Sequence, residues 1–203
     1  MITRADVEQQ LERARQLGYL GDGPVSEHFD HAAAQLSALG ELVDGVVVDL
    51  GSGGGVPGLL LPLLRPERPA VLLDRQARRT AFLRSAVAAL GVHDRVDVVT
   101  ASAEDAAWDP DLRGVWAAVV ARSFGPPAVV TECGAGFLAE GGVLLISEPP
   151  EGDRWSDAPL EQLGLALEAL TVDGHRYVRL RRVGEWPGEL PRAERLTRRR
   201  PLW

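Results

Sequence analysis

The chain contains no lysine: all 22 of its basic residues are arginines. There is one cysteine, Cys133, and one methionine among 203 residues. A lone cysteine excludes an internal disulfide and any cysteine-rich zinc site. No apolar run approaches the ~20 residues that a membrane helix needs. The two best runs, at 46–50 and 59–64, are interrupted by Gly and Pro. The opening Met1-Ile2-Thr3-Arg4-Ala5-Asp6 lacks a charged segment followed by an apolar one, so no secretory signal is expected. Internal repeats and low-complexity linkers are also missing. The remaining composition, 45% hydrophobic and 25% charged, excludes wholesale disorder. The length fits one domain, or one domain with a short extension. Together these features lead us to expect a soluble, cytoplasmic protein with no membrane partner.

Charge is distributed unevenly. From His175 to Trp203 nine arginines stand against three glutamates, a balance of +6. The whole chain carries −7, so residues 1–174 carry −13. An acidic body with a basic tail points to an anionic partner at one end. The competing reading is that GC-rich coding favours arginine and that the tail is merely solvated.

Patterning divides the chain into a helical extension (1–44), an alternating core (45–183) and a basic tail (184–203). Thr3 can cap a helix to about Leu17, with Val7, Leu11, Ala14 and Leu17 on one stripe. Ser26 can cap a second to about Leu39. The period then changes. Val46–Leu50 reads as a buried strand, and Pro57 suits the first turn of a helix through Leu64. Ala70–Asp74, Val96–Thr100, Trp116–Ala121 and Val143–Ser147 read as further strands. Ala77–Leu90, ended by Gly91, reads as a helix, as do Pro126–Ala139 and Asp157–Gly164. Two apolar-rich runs around Asp173-Gly174 then signal a hairpin over 166–183. Strand–helix alternation predicts a mostly parallel, doubly wound α/β sheet with a terminal antiparallel hairpin and leading helices. Such sheets bind ligands at the carboxyl ends of their strands.

The densest signal is Asp49-Leu50-Gly51-Ser52-Gly53-Gly54-Gly55-Val56-Pro57-Gly58, between the first strand and its helix. Glycines there permit a tight turn and close approach of a ligand. Gly53-x-Gly55-x-x-Gly58 fits a dinucleotide fingerprint with Asp74 on the ribose. Asp49-x-Gly51-x-Gly53-x-Gly55 fits the loop of Rossmann-like methyltransferases, which cradles S-adenosylmethionine, with Asp74 accepting from both ribose hydroxyls. The acid before the glycines and the terminal hairpin favour the second. An unliganded strand–helix turn is the bland alternative.

Further residues extend the likeness: Leu72-Leu73-Asp74-Arg75, Arg79-x-x-Phe82-Leu83, Ala103-Glu104, Ala121-Arg122-Ser123-Phe124, and the ending Pro191-Arg192 … Arg200-Pro201-Leu202. His28-Phe29 belongs with them. With the glycine loop, these residues make the chain resemble the RsmG (GidB) family, which methylates N7 of a guanine in small-subunit ribosomal RNA. The likeness spans about 27–202. It implies that Gly51, Ser52, Gly53 and Val56 line the cofactor loop and that Ala103 and Glu104 sit beside the adenine. It places Arg122 at the cofactor and the mouth of the site. Methyl transfer to a neutral ring nitrogen needs alignment more than acid–base help, so no general base is named. The expected partner is ribosomal RNA or the small ribosomal subunit. Arg122, Glu148, Arg192, Arg199 and Arg200 are the substrate or RNA candidates, with Arg195 and Arg198 beside them.

Two departures from the family pattern motivate an alternative. A Lys-Gly pair usually ends the fifth strand, whereas this chain has Ile146-Ser147-Glu148-Pro149-Pro150. The N-terminal region is also shorter and lacks an Asn-Leu-Thr segment. Glu148 would suit an amine or heterocycle, so a small-molecule methyltransferase derived from the family is the second reading. A nicotinamide-type oxidoreductase or a non-catalytic nucleotide-binding regulator is the third. His28 and His31 have no third ligand near them and read as surface or cap residues, so no metal site is expected. Cys133 reads as packing, and Ser52 lacks a paired histidine. Trp155 or Phe124 can stack on a base.

Overall fold

A computed structural model describes residues 2–203. Helix α1 (Arg4–Gln16) starts with a capping box in which the Thr3 hydroxyl and the Asp6 backbone and side chain satisfy one another. Helix α2 (Val25–Ser37) follows. The core then runs β1 (Val47–Leu50), a 3₁₀ turn (Gly58–Leu60) leading into α3 (Leu61–Leu64), β2 (Ala70–Asp74), α4 (Ala77–Leu90), β3 (Val96–Thr100), α5 (Ala103–Ala106) and β4 (Trp116–Ala121). After these come α6 (Pro127–Ala135), β5 (Leu138–Ser147), β6 (Leu165–Val172), β7 (His175–Arg182) and α7 (Glu194–Arg199). The seven strands form one sheet in the order β3-β2-β1-β4-β5-β7-β6. The first five are parallel, and β7 runs antiparallel to both β5 and β6. Strand order reverses beside β1, so the glycine loop opens into the crevice where α/β sheets bind ligands.

The sheet is covered on both faces. Val7, Leu11, Phe29, Leu36, Leu60 and Phe82 belong to one buried cluster, which includes α1, α2, α3 and α4. Val130, Cys133, Phe137, Trp155, Trp186 and Leu190 belong to the other. Burial on both faces explains why β1, β2 and β4 are continuous apolar runs rather than alternating ones. In α4 the buried residues Phe82, Leu83, Ala86, Val87 and Leu90 follow the helical period, and Gly91 caps the helix at φ +66.

Several sequence expectations need correction. Helix α2 begins at Val25 behind Pro24, not at a Ser26 cap, and no side chain caps it. The helix expected from Pro57 is a 3₁₀ turn and one short helix. The helix expected through Ala139 stops at Ala135, because Leu138 already pairs with Trp116 in the sheet. Residues 157–164 form turns rather than a helix; Leu163 and Leu165 pack into the second cluster there, and Gly164 turns at φ +66 against Gly184 and Glu185. Between β3 and β4, where no element was expected, lies α5, capped by the Ser102 hydroxyl accepting from the Asp105 N–H.

Candidate active site

The glycine loop is bound tightly to the strands around it. Gly51 turns the chain at φ +75, and a Cβ there would lie 2.8 Å from the Phe124 ring. Only glycine meets both conditions. The Ser52 hydroxyl donates to the Asp49 carbonyl at 2.9 Å, and its N–H donates to the Leu73 carbonyl at 2.9 Å, so Ser52 holds the turn. The Gly53 N–H donates to Asp74 at 2.9 Å, and the other Asp74 oxygen accepts from the Gln76 N–H at 2.8 Å. Asp74 thus joins the end of β2 to the loop after β1. Asp49 is fully buried beneath the loop and accepts from the Gly58 N–H at 3.0 Å. Burial, assisted by the nearby Asp74 charge, pushes its pKa up to about 7 against the pull of Gly58, Ser52 and Arg122. Val56 turns into the first core cluster and does not line the cavity described next.

A cavity of about 200 Å³ crosses the carboxyl ends of β1 to β4. Gly51, Asp74, Gln76, Ala103, Glu104 and Phe124 line it, with Arg198 of α7 on its outer side. Glu104 is almost wholly buried, and its Oε1 has no hydrogen-bond partner. The Arg198 Nε is its ion-pair partner at 3.9 Å, too far for a hydrogen bond. A buried acceptor without a donor needs explaining in any native structure. Here it suits an amino group or hydroxyl of an adenosine, as does the acidic end of β2. The residues present therefore fit S-adenosylmethionine.

A second cavity, of about 270 Å³, adjoins the first at Ser123 and Phe124. It lies between the ends of β4 and β5, with Ser147, Glu148, Pro149 and Arg154 at its far side. Ser123 holds a left-handed φ of +55 in the shared wall, a strained conformation of the kind that gathers at functional sites. Arg154 grips both oxygens of Glu148, from Nε at 3.0 Å and from its terminal nitrogen at 2.6 Å. Sequence reasoning missed Arg154, which sits in an irregular loop with no periodic signal.

Arg122 lies at the end of β4 beneath α2, outside the lining of both cavities. It donates to Nδ1 of His28 at 2.9 Å, while His28 Nε2 lies 3.1 Å from the Gly21 carbonyl. The tautomer protonated on Nε2 satisfies both contacts. Burial lowers the Arg122 pKa, with Asp49 and Tyr177 opposing. Neighbouring His31 stacks on His175 at 4.1 Å. Burial, then the Arg122 charge, depresses its pKa to about 4. Read from the sequence as surface or cap residues, the two histidines instead join α2 to the strand ends. Among the described residues no cluster of three or more His, Cys, Asp or Glu side chains is placed to hold a metal.

The tail returns to the site. Arg192 donates to buried Glu132 of α6 through its backbone N–H, Nε and terminal nitrogen at 2.7, 2.8 and 2.6 Å, and the Thr197 hydroxyl adds a fourth bond at 3.2 Å. Trp108 and Arg113 bind the carbonyls of Pro191 and Leu190. An ion pair between Arg75 and Glu194 anchors α7 from the β2 side. Arg192, a phosphate candidate from sequence, is thus committed to the protein. Arg199 and Arg200 are exposed and form no ion pair among the described residues.

Strand order, glycine loop and cavity together define a Rossmann-like methyltransferase that uses S-adenosylmethionine. Solved structures share the fold. An O-methyltransferase from Bacillus cereus in complex with SAH aligns at TM-score 0.61 with 15% identity, over 89% of this chain and 92% of that one. A methyltransferase from Geobacter sulfurreducens aligns at TM-score 0.59 with 14% identity, over 89% and 92%. The sequence comparisons give the particular family. The GidB model, described as rRNA small subunit methyltransferase G, matches residues 24–149, and the chain belongs to this family. The ribosomal RNA small subunit methyltransferase G of Pelotomaculum thermopropionicum is 32% identical over 188 residues, covering 87% of this chain and 77% of that protein. Its counterpart from Parasynechococcus marenigrum is 33% identical over 171 residues, covering 77% and 67%. That from Acidothermus cellulolyticus is 38% identical over 130 residues, covering 63% and 55%.

Proposed function

We propose that this protein transfers the methyl group of S-adenosylmethionine to N7 of a guanine in small-subunit ribosomal RNA, acting in the cytoplasm. One observation carries the reading. The family match over residues 24–149 contains the whole lining of both cavities except Arg154 and Arg198.

When bound, S-adenosylmethionine would offer an electrophilic methyl group to the N7 lone pair, with its thioether as the leaving group. Asp74 and Glu104 offer acceptors to the adenosine, and Gly51 lets the cavity form against Phe124. Ser123 and Phe124 bring the acceptor cavity against the cofactor cavity, which is the alignment such a displacement needs. N7 carries no proton, so no side chain has to remove one. The outer face of α7, with Arg199 and Arg200, tracks phosphates and adds a salt-dependent share of the affinity.

The small-molecule alternative is motivated by the missing Lys-Gly pair, the shorter N-terminal region and Glu148. Arg154 pairs with Glu148 and so weakens the last of these. Nothing in the fold or the family favours a nicotinamide role. The test offers purified enzyme and labelled cofactor to small subunits lacking the methyl mark, beside large subunits. Label on small subunits alone, falling as salt rises, supports the reading. Absence of label on small subunits at low salt contradicts it.

A further inference from the structure

The far end of the second cavity is built around a fixed guanidinium. The Glu148 side chain is 4% exposed, and its partner Arg154, on the cavity wall, is 34% exposed. Nε and the terminal nitrogen Nη2 of Arg154 hold the two carboxylate oxygens. A guanidinium carries five N–H donors in a planar fork. The carboxylate occupies the edge between Nε and Nη2. The edge between Nη2 and Nη1 stays free, with two parallel donors. Among the described residues Nη1 makes no hydrogen bond, and it is not one of the buried unpartnered atoms, so it remains accessible. The loop that carries Arg154 is tied down on both sides. Arg176 donates to the carbonyls of Pro149, Pro150 and Gly152 at 3.2, 3.1 and 3.0 Å. Trp155 is buried in the second cluster, and its backbone N–H donates to the Asp153 side chain at 2.9 Å. The free edge is therefore ordered before any ligand arrives, which lowers the cost of binding one.

Two parallel donors match two oxygens of one phosphate group, just as the neighbouring edge matches a carboxylate. The O6 and N7 edge of guanine offers a similar pair of acceptors, but N7 has to face the methyl donor. Resting on the reading that this cavity takes the target nucleotide of an RNA, we infer that Arg154, aligned by Glu148, binds a phosphate adjoining that nucleotide. A phosphate held here and the Ser123–Phe124 wall at the other end set where the base lies between them. Glu148 touches no RNA and acts as a positioning residue. Its charge offsets that of Arg154, so the contact works at short range through the direction of its donors. Glu151 and Asp153 flank the site but are exposed, where water and salt screen them. An arginine that only neutralised buried Glu148 could be replaced by lysine. Lysine keeps the charge but cannot present two parallel donors to a carboxylate and two more to a phosphate.

The test is calorimetric titration of guanosine, its 3′- and 5′-monophosphates and inorganic phosphate into the enzyme saturated with S-adenosylhomocysteine. The tighter of the two nucleotides should bind roughly tenfold better than guanosine and than inorganic phosphate, as charge-assisted hydrogen bonds imply. In Arg154→Lys, with S-adenosylhomocysteine affinity retained as the check on folding, the gap between that nucleotide and guanosine should close to within about threefold. The same variant should raise KM for small subunits lacking the mark roughly tenfold. Equal binding of nucleotide and guanosine by the wild type, a gap that survives in Arg154→Lys, or inorganic phosphate binding as tightly as the nucleotide overturns the inference. The wild-type comparison stands even if the variant fails to fold. If the ribosomal reading is wrong, small subunits stay unlabelled while the nucleotide still outbinds guanosine through Arg154; the two failures are therefore distinguishable.

Discussion

Replacing Arg192 by alanine should loosen the tail from the body. Glu132 is fully buried and accepts three hydrogen bonds from Arg192 and one from Thr197. The substitution removes the two guanidinium bonds and leaves a buried carboxylate with only the backbone N–H and the Thr197 hydroxyl. Removing one partner of a buried ion pair costs ~3–5 kcal/mol. The Arg192 side chain is 26% exposed and two donors remain, so the low end, about 3 kcal/mol, applies. For a chain of this size that lowers the melting temperature by roughly 6–12 °C. Burial raises the Glu132 pKa, but the Arg192 bonds and charge outweigh it and hold the group below its ordinary 4.5. The stability contributed by the pair is therefore present above that value and is lost as pH falls beneath it. Melting curves should show a large difference between wild type and Arg192→Ala at neutral pH, shrinking below about pH 4. Adding Glu132→Gln to Arg192→Ala removes the stranded charge and should recover over half of the loss. A melting shift under about 2 °C for Arg192→Ala, or no recovery in the double variant, refutes the reasoning.

Other perturbations separate cofactor, core and substrate roles. Asp74→Ala removes the acceptor that ties the glycine loop to β2, and should weaken S-adenosylhomocysteine at least tenfold by calorimetry, about 1.4 kcal/mol; unchanged affinity counts against the cofactor site. Asp49 has a folded pKa of about 7 against an ordinary 3.8, so its contribution is present below the lower value and is lost as pH rises through the higher one. Asp49→Asn should therefore gain stability relative to wild type between pH 4 and 8 in urea titrations, by at most about 4 kcal/mol; a constant difference across that range disproves the assignment. Reversing charge at Arg199 and Arg200 should weaken small-subunit binding and reduce its salt slope by roughly one and a half to two. Cofactor affinity should stay unchanged, and an unaltered slope places the RNA contact elsewhere.

The parts of the fold legible in the sequence are those set by local rules. The ranges of β2, α4, β3 and β4 coincide with their patterns: burial on both faces of the sheet gives β2 and β4 unbroken apolar runs, and Gly91 marks a left-handed helix end. Asp173-Gly174 specifies the β6–β7 turn for the same reason, since both residues adopt positive φ. Where register decides, local pattern failed: pairing of Leu138 with Trp116 claimed residues that helical periodicity had assigned to α6. The cofactor side of the site was legible through the glycines and Asp74. The second cavity and the anchored tail were not, because they depend on partners brought together by the fold. Glu132 and Arg192 are 60 residues apart, and Arg122 meets His28 across 94.

Methyl transfer to guanine N7 can be read directly from the labelled product. Small subunits lacking the mark should be labelled with methyl-tritiated S-adenosylmethionine, digested to nucleosides and separated by chromatography. One labelled species, 7-methylguanosine, is expected. Label on any other nucleoside, or on none while S-adenosylhomocysteine still binds, would contradict it.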